Sequence, residues 1–234
     1  PYQTYTYSIS GFALYSPDAY VPIQTIDYKY MGLDHPLTSI KDILTDKEGN
    51  LYLVDSVENE VVVLDKFYKV KFTIKNFVNN HGVPDNFTAP QGVFVTDDRI
   101  FVCDTDANRI VTFSHSGEFL SIIPRPESEL FDEGSVYKPV AIAVDNYDRL
   151  YVVSSTTYQG IIVMTEDGVF TGFVGAQKVV ISAWDRIWRR FQTDEQRALS
   201  QTYVSTEFNN VTISGDFIYV TTSSIDDSKV QSSL

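Results

Sequence analysis

Apolar and polar positions alternate in short runs along most of the chain. The stretch from Ile100 to Leu120 reads IFVCDTDANRIVTFSHSGEFL, in which two runs, IFVCD and RIVTF, flank the polar linker TDAN and a Ser-Gly turn leads into a third. A period of two, bounded by Asp, Asn and Gly, predicts half-buried strands joined by tight turns. The pattern returns in four segments: DILTDKEGNLYLVDSVENEVVVLDKFYKVKF from Asp42, GVFVTDDRIFVCDTDANRIVTFSHSGEFLSI from Gly92, AIAVDNYDRLYVVSSTTYQGIIVMTEDGVFTGF from Ala141 and NVTISGDFIYVTTSSI from Asn210. Equivalent aromatics at Tyr52, Phe101, Tyr151 and Tyr219 set the period, at intervals of 49, 50 and 68 residues. The longer last interval predicts an insertion of different character over about residues 178–206.

Each unit predicts a four-stranded antiparallel meander, and meanders of this length bury both faces only by stacking side by side around an axis. The expectation is therefore an all-β chain, a β-propeller forming a single domain over residues 1–234, with three complete blades and the inner half of a fourth. The run VPIQTIDYKY near the start has no inner partner before it and is expected to be an outer strand that latches the ring.

The segment from Pro90 to Leu120 resembles the NHL repeat, on Pro90, Gly92, Asp104, Thr105, Asn108, Arg109 and Ile110. The first unit keeps Asp55, Ser56 and Asn59 but has Glu60 and Val61 for Arg-Ile and Asp42 for the Gly; the third keeps Pro139 and has Ser154, Ser155 and Gln159 instead. The whole chain is similar to extracytoplasmic NHL-repeat proteins of Gram-positive bacteria. That resemblance implies a six-bladed family fold, of which about four blades are present here. It also implies a secreted or cell-surface location, with membrane attachment only through segments outside this chain. The role it implies is a binding or scaffold function, for carbohydrate or for a partner protein of a sugar-uptake system. A ring this short is expected to be a fragment, or to pair its open edges with another chain.

Composition narrows the partners. The 234 residues include fifteen Tyr and fifteen Phe and carry a net charge of −13, a field that repels phosphate backbones and argues against nucleic acid. The lone Cys103 makes no intrachain disulfide and is read as a buried small hydrophobe. No run of about eighteen apolar residues is present to span a membrane.

Within the insertion, Trp184, Ile187, Trp188 and Phe191 fall at helical spacing, with Arg186, Arg189 and Arg190 off the stripe. Thr193 and Gln196 form a capping box for a second helix. One reading is a binding platform in which Trp184 and Trp188 stack on a sugar or partner and the three arginines contact carboxylates. The other is a stripe packed on the blades with the arginines wet, which the helical spacing of large apolar residues favours.

Handles for catalysis are few. His35, His81 and His115 stand next to turn residues at no metal-binding spacing, and no GxSxG, P-loop or CxxC sequence occurs. The alternative is a calcium-dependent, lactonase-like hydrolase with an axial Ca²⁺ held by oxygen donors at the starts of inner strands, Asp42, Asn209 and Asn210, with Gln91 nearby. The competing reading, that Asp42 and Asn210 serve the turns entering their strands, is favoured because the third unit offers only Val140 and Ala141 there. A zinc lyase of the NHL class lacks its histidines. Binding is thus expected over catalysis.

Overall fold

The computed structural model describes residues 4–16, 20–127, 136–157, 160–175, 208–215 and 217–222. The chain divides into two compact units, Pro1–Pro36 and Leu37–Leu234. In the first, β1 (Thr4–Tyr7) and β2 (Ala13–Ser16) form an antiparallel hairpin that pairs Tyr5 with Tyr15. The VPIQTIDYKY run forms no strand, contrary to its alternation. Its end is instead the helical turn α1 (Tyr28–Met31), because the Asp27 side chain accepts from Tyr30 N at 2.7 Å and Gly32, at φ 92°, supplies the left-handed C-cap.

The second unit is built from the meanders the alternation predicts. The first blade is β3 (Ile40–Thr45), β4 (Leu51–Asp55), β5 (Glu60–Leu64) and β6 (Val70–Ile74). A short hairpin, β7 (Asn76–Val78) and β8 (Pro84–Asn86), intervenes. The second blade is β9 (Gly92–Val95), β10 (Ile100–Asp104), β11 (Arg109–Phe113) and β12 (Phe119–Ile123). The third is β13 (Pro139–Val144), β14 (Leu150–Ser154), β15 (Ile161–Met164) and β16 (Phe170–Val174). A two-stranded sheet, β17 (Phe208–Ser214) and β18 (Phe217–Thr222), follows. Every pairing between these strands is antiparallel and sequential, and an isolated parallel bridge joins Glu127 to Val169.

Successive side chains on a strand point to opposite faces, and both faces of the middle blades are used. Val102 and Val111 face the first blade and meet Tyr52, Val54, Val61 and Val63. Their neighbours Phe101, Cys103 and Ile110 face the third blade and meet Ile142, Leu150, Val152 and Ile162. The third blade's opposite face, Ala141, Tyr151 and Val153, packs on Val211, Ile213 and Val220 of the two-stranded sheet. Blades stacked face to face through adjacent inner strands β3, β9, β13 and β17 give the propeller architecture expected from the repeat.

Inner strands approach closely. A Cβ built on Gly92 would lie 2.6 Å from Val140 O and 3.0 Å from Ala141 Cα, so only glycine fits between β9 and β13. In the first blade the same register position holds Asp42, whose Oδ2 accepts from Val93 N at 2.9 Å and so binds β3 to β9. The substitution that departs from the repeat pattern therefore replaces one close approach with an inter-blade hydrogen bond.

Candidate functional site

Each blade has two polar ends, and they do different work. At the end where β4, β10 and β14 stop, a buried group clasps the loop that leads into the blade's own first strand. The Asp55 carboxylate accepts from Thr38 N at 2.5 Å, Val57 N at 3.0 Å and Glu58 N at 3.1 Å, and also from Ser39 N. Burial disfavours its charge, but these four N–H groups outweigh burial and hold the carboxyl below the usual range. Asp104 accepts from Thr88 N at 2.6 Å, and here burial prevails and raises the carboxyl. In the third blade Ser154 Oγ takes the role, accepting from Lys138 N at 3.0 Å.

The Asn108-Arg109-Ile110 sequence is a structural device at this same end. Arg109 forks onto Asp85 of β8 at 2.8 and 2.9 Å, and its Nε donates to Asp104 at 2.8 Å. The Arg109 hydrogen bonds hold Asp85 well below the usual carboxylate range. In the first blade the polarity is reversed: buried Glu60 stands at the Arg109 position and faces Lys75 Nζ at 3.7 Å. Asn59 and Asn108 both adopt left-handed φ in the turns before these residues.

The opposite end, formed by the β3–β4, β5–β6, β9–β10 and β11–β12 turns, holds a cavity of about 730 Å³ between the first two blades. Asp46, Glu48, Asn50, Tyr52, Lys71, Thr96 and His115 line it, and the Lys47–Asp97 ion pair crosses from one blade to the other at 2.5 Å. Its floor is fixed by hydrogen bonds. Asp46 accepts from Asn50 N at 2.8 Å, from Asn50 Nδ2 at 2.7 Å and from the Tyr52 hydroxyl at 3.1 Å. Burial opposes ionisation of Asp46, yet the Asn50 and Tyr52 donors prevail and lower its carboxyl. Lys71 Nζ donates to Asn50 Oδ1 at 3.0 Å and, among the described residues, pairs with no carboxylate. His115 Nε2 donates to Thr96 O at 3.0 Å, which leaves Nδ1 unengaged. The cavity is open to solvent on one side, and its lining offers donors and acceptors held by the turns.

Of the residues singled out from the sequence as ligand or metal sites, only Asp42, Asn209 and Asn210 are among those described, and none of the three lines the cavity. Trp184, Arg186, Trp188, Arg189 and Arg190, with the rest of the helical insertion, lie outside the described residues. Asp42, Asn209 and Asn210 sit at the bulges of β3 and β17. Asp42 Oδ1 accepts from Ile43 N at 2.9 Å and Asn210 Oδ1 from Val211 N at 2.7 Å, while Asn209 accepts from the Thr221 hydroxyl. Among the described residues no group of three or more His, Cys, Asp or Glu is placed to hold a metal ion. Cys103 is buried, as expected, and burial pushes its thiol well up. No described helix is long and apolar enough to cross a membrane.

The cavity was missed by the sequence reading because its two halves come from different repeats. Lys71 and Asn50 belong to the first blade, Thr96 and His115 to the second, and only the register of the stacked sheets brings them together.

No protein-family model matches the chain, and no curated protein matches it. Among solved structures it is similar to virginiamycin B lyase from Staphylococcus aureus, with 13% identity and a TM-score of 0.46 over 94% of this chain and 56% of that one. A streptogramin B lyase structure matches with 14% identity and a TM-score of 0.48 over 81% of this chain and 50% of its own. The glutaminyl cyclase of Myxococcus xanthus matches with 12% identity and a TM-score of 0.49, over 80% and 70% of the two chains. The chain thus spans about half the length of the two lyases.

Proposed function

We propose that this chain is an extracytoplasmic binding propeller rather than a catalyst, and that it takes a carbohydrate at the turns between its first two blades. The observation that carries the reading is the 730 Å³ cavity lined by Asn50, Lys71, Thr96 and His115. Hydroxyl-rich ligands need a few donors and acceptors held in place, and a site built on sheet turns holds them with little ordering cost on binding. The other conspicuous polar groups are engaged within the blades: Asp55, Asp104 and Arg109 hold loops, and Asp42 ties one blade to the next. The extracytoplasmic placement rests on the resemblance of the whole chain to extracytoplasmic NHL-repeat proteins of Gram-positive bacteria. On the same reading Trp184, Trp188 and the neighbouring arginines form a second contact surface for the ligand or a partner of an uptake system.

The test is a titration of the purified chain with a panel of oligosaccharides, followed by amide NMR shifts. Shifts confined to residues 45–52, 71, 95–97 and 115 are expected. Sugars that leave these amides unmoved would overturn the reading. So would chelator-sensitive hydrolysis of a lactone or ester lost on substituting Asp42, which would favour the calcium-dependent hydrolase.

A further inference from the structure

The outer strands of the complete blades are protected against adding a further strand, and the first hairpin is not. Each outer strand joins its neighbour across a register shift: β6 at Val63/Leu64, β12 at Thr112/Phe113 and β16 at Val163/Met164. Bulges of this kind twist an edge away from a second chain. β6 also carries Lys71, with Lys69 and Lys75 on either side of the strand. β18 follows directly on Asp216 and pairs with β17 across a shift at Phe208/Asn210. In the β1–β2 ribbon the pairs from Thr4–Ser16 to Tyr7–Ala13 run without a shift. Residues 1–17 hold no charged side chain, in a chain that is 21% charged and carries a net −13. The β2 side is blunted by Pro17 and Asp18, which follow directly on Ser16, so β1 is the open edge.

The turn decides which groups β1 presents. Ser8 N donates to Phe12 O at 2.8 Å, and inward-pointing residues alternate along an antiparallel pair. Thr4 and Thr6 therefore bond to β2, and the N–H and C=O groups of Tyr5 and Tyr7 point outward. Tyr5, Tyr7 and Tyr15 share one face of the ribbon, and Thr6 and Leu14 share the other. Tyr5, Tyr7, Leu14 and Tyr15 are all exposed, and the Tyr5 and Tyr7 rings meet edge to face at 5.5 Å. A two-stranded ribbon open on both faces is marginally stable by itself and gains from a further strand.

The charge pattern and the strand's own symmetry select the occupant. Two copies of so acidic a chain repel over most of their surface, and the uncharged run is where they approach at least cost. β1 is also self-complementary. Antiparallel pairing centred on Thr6 sets Tyr5 against the partner's Tyr7 and Tyr7 against the partner's Tyr5, so that the outward-pointing groups of both residues meet.

We propose that β1 pairs with β1 of a second copy of this chain, about a two-fold axis at Thr6, and joins the two ribbons into one four-stranded sheet. Tyr5, Tyr7 and Tyr15 of both copies line one face of that sheet, where cross-strand aromatic pairs add to the backbone bonds.

Sedimentation equilibrium of the whole chain is expected to show a concentration-dependent dimer. Thr6→Lys sets two ammonium groups opposite each other and should weaken that dimer about tenfold or more. Thr6→Cys reads the register. The axis brings the two thiols within disulfide reach, so diamide should give a covalent dimer, whereas Tyr5→Cys, set against the partner's Tyr7, should not. Cys103 is buried and stays out of the reaction, and Thr6→Cys carries the test even where Thr6→Lys fails to fold. A monomer at every concentration would overturn the proposal. So would a dimer that Thr6→Lys leaves intact and Thr6→Cys does not capture, which would move the contact to another edge such as β18.

Discussion

The Tyr52 hydroxyl donates to Asp46 Oδ2 at 3.1 Å, and two blades on the Tyr151 hydroxyl donates to Asp145 Oδ2 at the same distance. Each pair ties the middle of a second strand to the turn that precedes it. In the intervening blade both partners change together: the aromatic is Phe101 and the turn residue is Thr96. A buried hydroxyl is kept only where an acid is present to receive it. Tyr52→Phe is therefore expected to cost about 1 kcal/mol, and Phe101→Tyr, which buries a hydroxyl beside Thr96 with no carboxylate to receive it, about 1–3 kcal/mol. Urea unfolding of the two variants measures both, and a stabilised Phe101→Tyr would contradict the pairing argument.

Gly92→Ala should destabilise through contact alone. The added carbon meets Val140 O at 2.6 Å and Ala141 Cα at 3.0 Å, both backbone atoms of the next blade. Overpacking of this kind costs about 1–3 kcal/mol. A melting temperature equal to that of the parent would mean that the inner strands separate freely.

Arg109 joins the β7–β8 hairpin to the second blade through Asp85 and Asp104, the latter fully buried. Arg109→Met leaves the Asp104 charge without its partner and is expected to cost about 3 kcal/mol. Arg109→Lys should fall between, since an ammonium cannot fork onto a carboxylate while also meeting a second one. Denaturant midpoints rank the three proteins, and a Met variant as stable as the parent would remove the hairpin clasp from the account.

Asp55 supplies a pH dependence of definite sign. Its four backbone donors hold the folded carboxyl below the unfolded value of about 3.9, so in acid the unfolded chain binds the proton first. Stability contributed by this group is complete above about pH 4 and is lost as the pH falls through the folded value. The parent should accordingly exceed Asp55→Asn in stability at pH 7, and the gap should shrink as the pH drops below about 4. A gap that stays constant from pH 7 to pH 3 would show that the N–H groups do not depend on the charge.

The strands were legible because alternation is a local property. IFVCD and RIVTF form β10 and β11 with Cys103 opposite Ile110, and Tyr52, Phe101 and Tyr151 fall on strands at equivalent registers. The run VPIQTIDYKY shows where alternation misleads, since Asp27 and Gly32 impose local capping on a segment with no sheet partner among the described residues. Arg109 was legible as part of a motif, but not its main partner: Asp85 lies in a hairpin outside the repeat.

The amino-acid order by itself determined the four-stranded units, their turns and their stacking, because the period of two places apolar side chains on both faces of every sheet, and such a sheet is stable only between neighbours. Which blade end is latched and which is open was decided in three dimensions. Asn50 and His115 are ordinary turn residues in sequence, as are Arg99 and Glu166, and only the stacking of one repeat on the next makes one pair a bridge and the other the rim of a cavity. A cavity made between two stacked sheets is a property of register across them, to which local periodicity is blind.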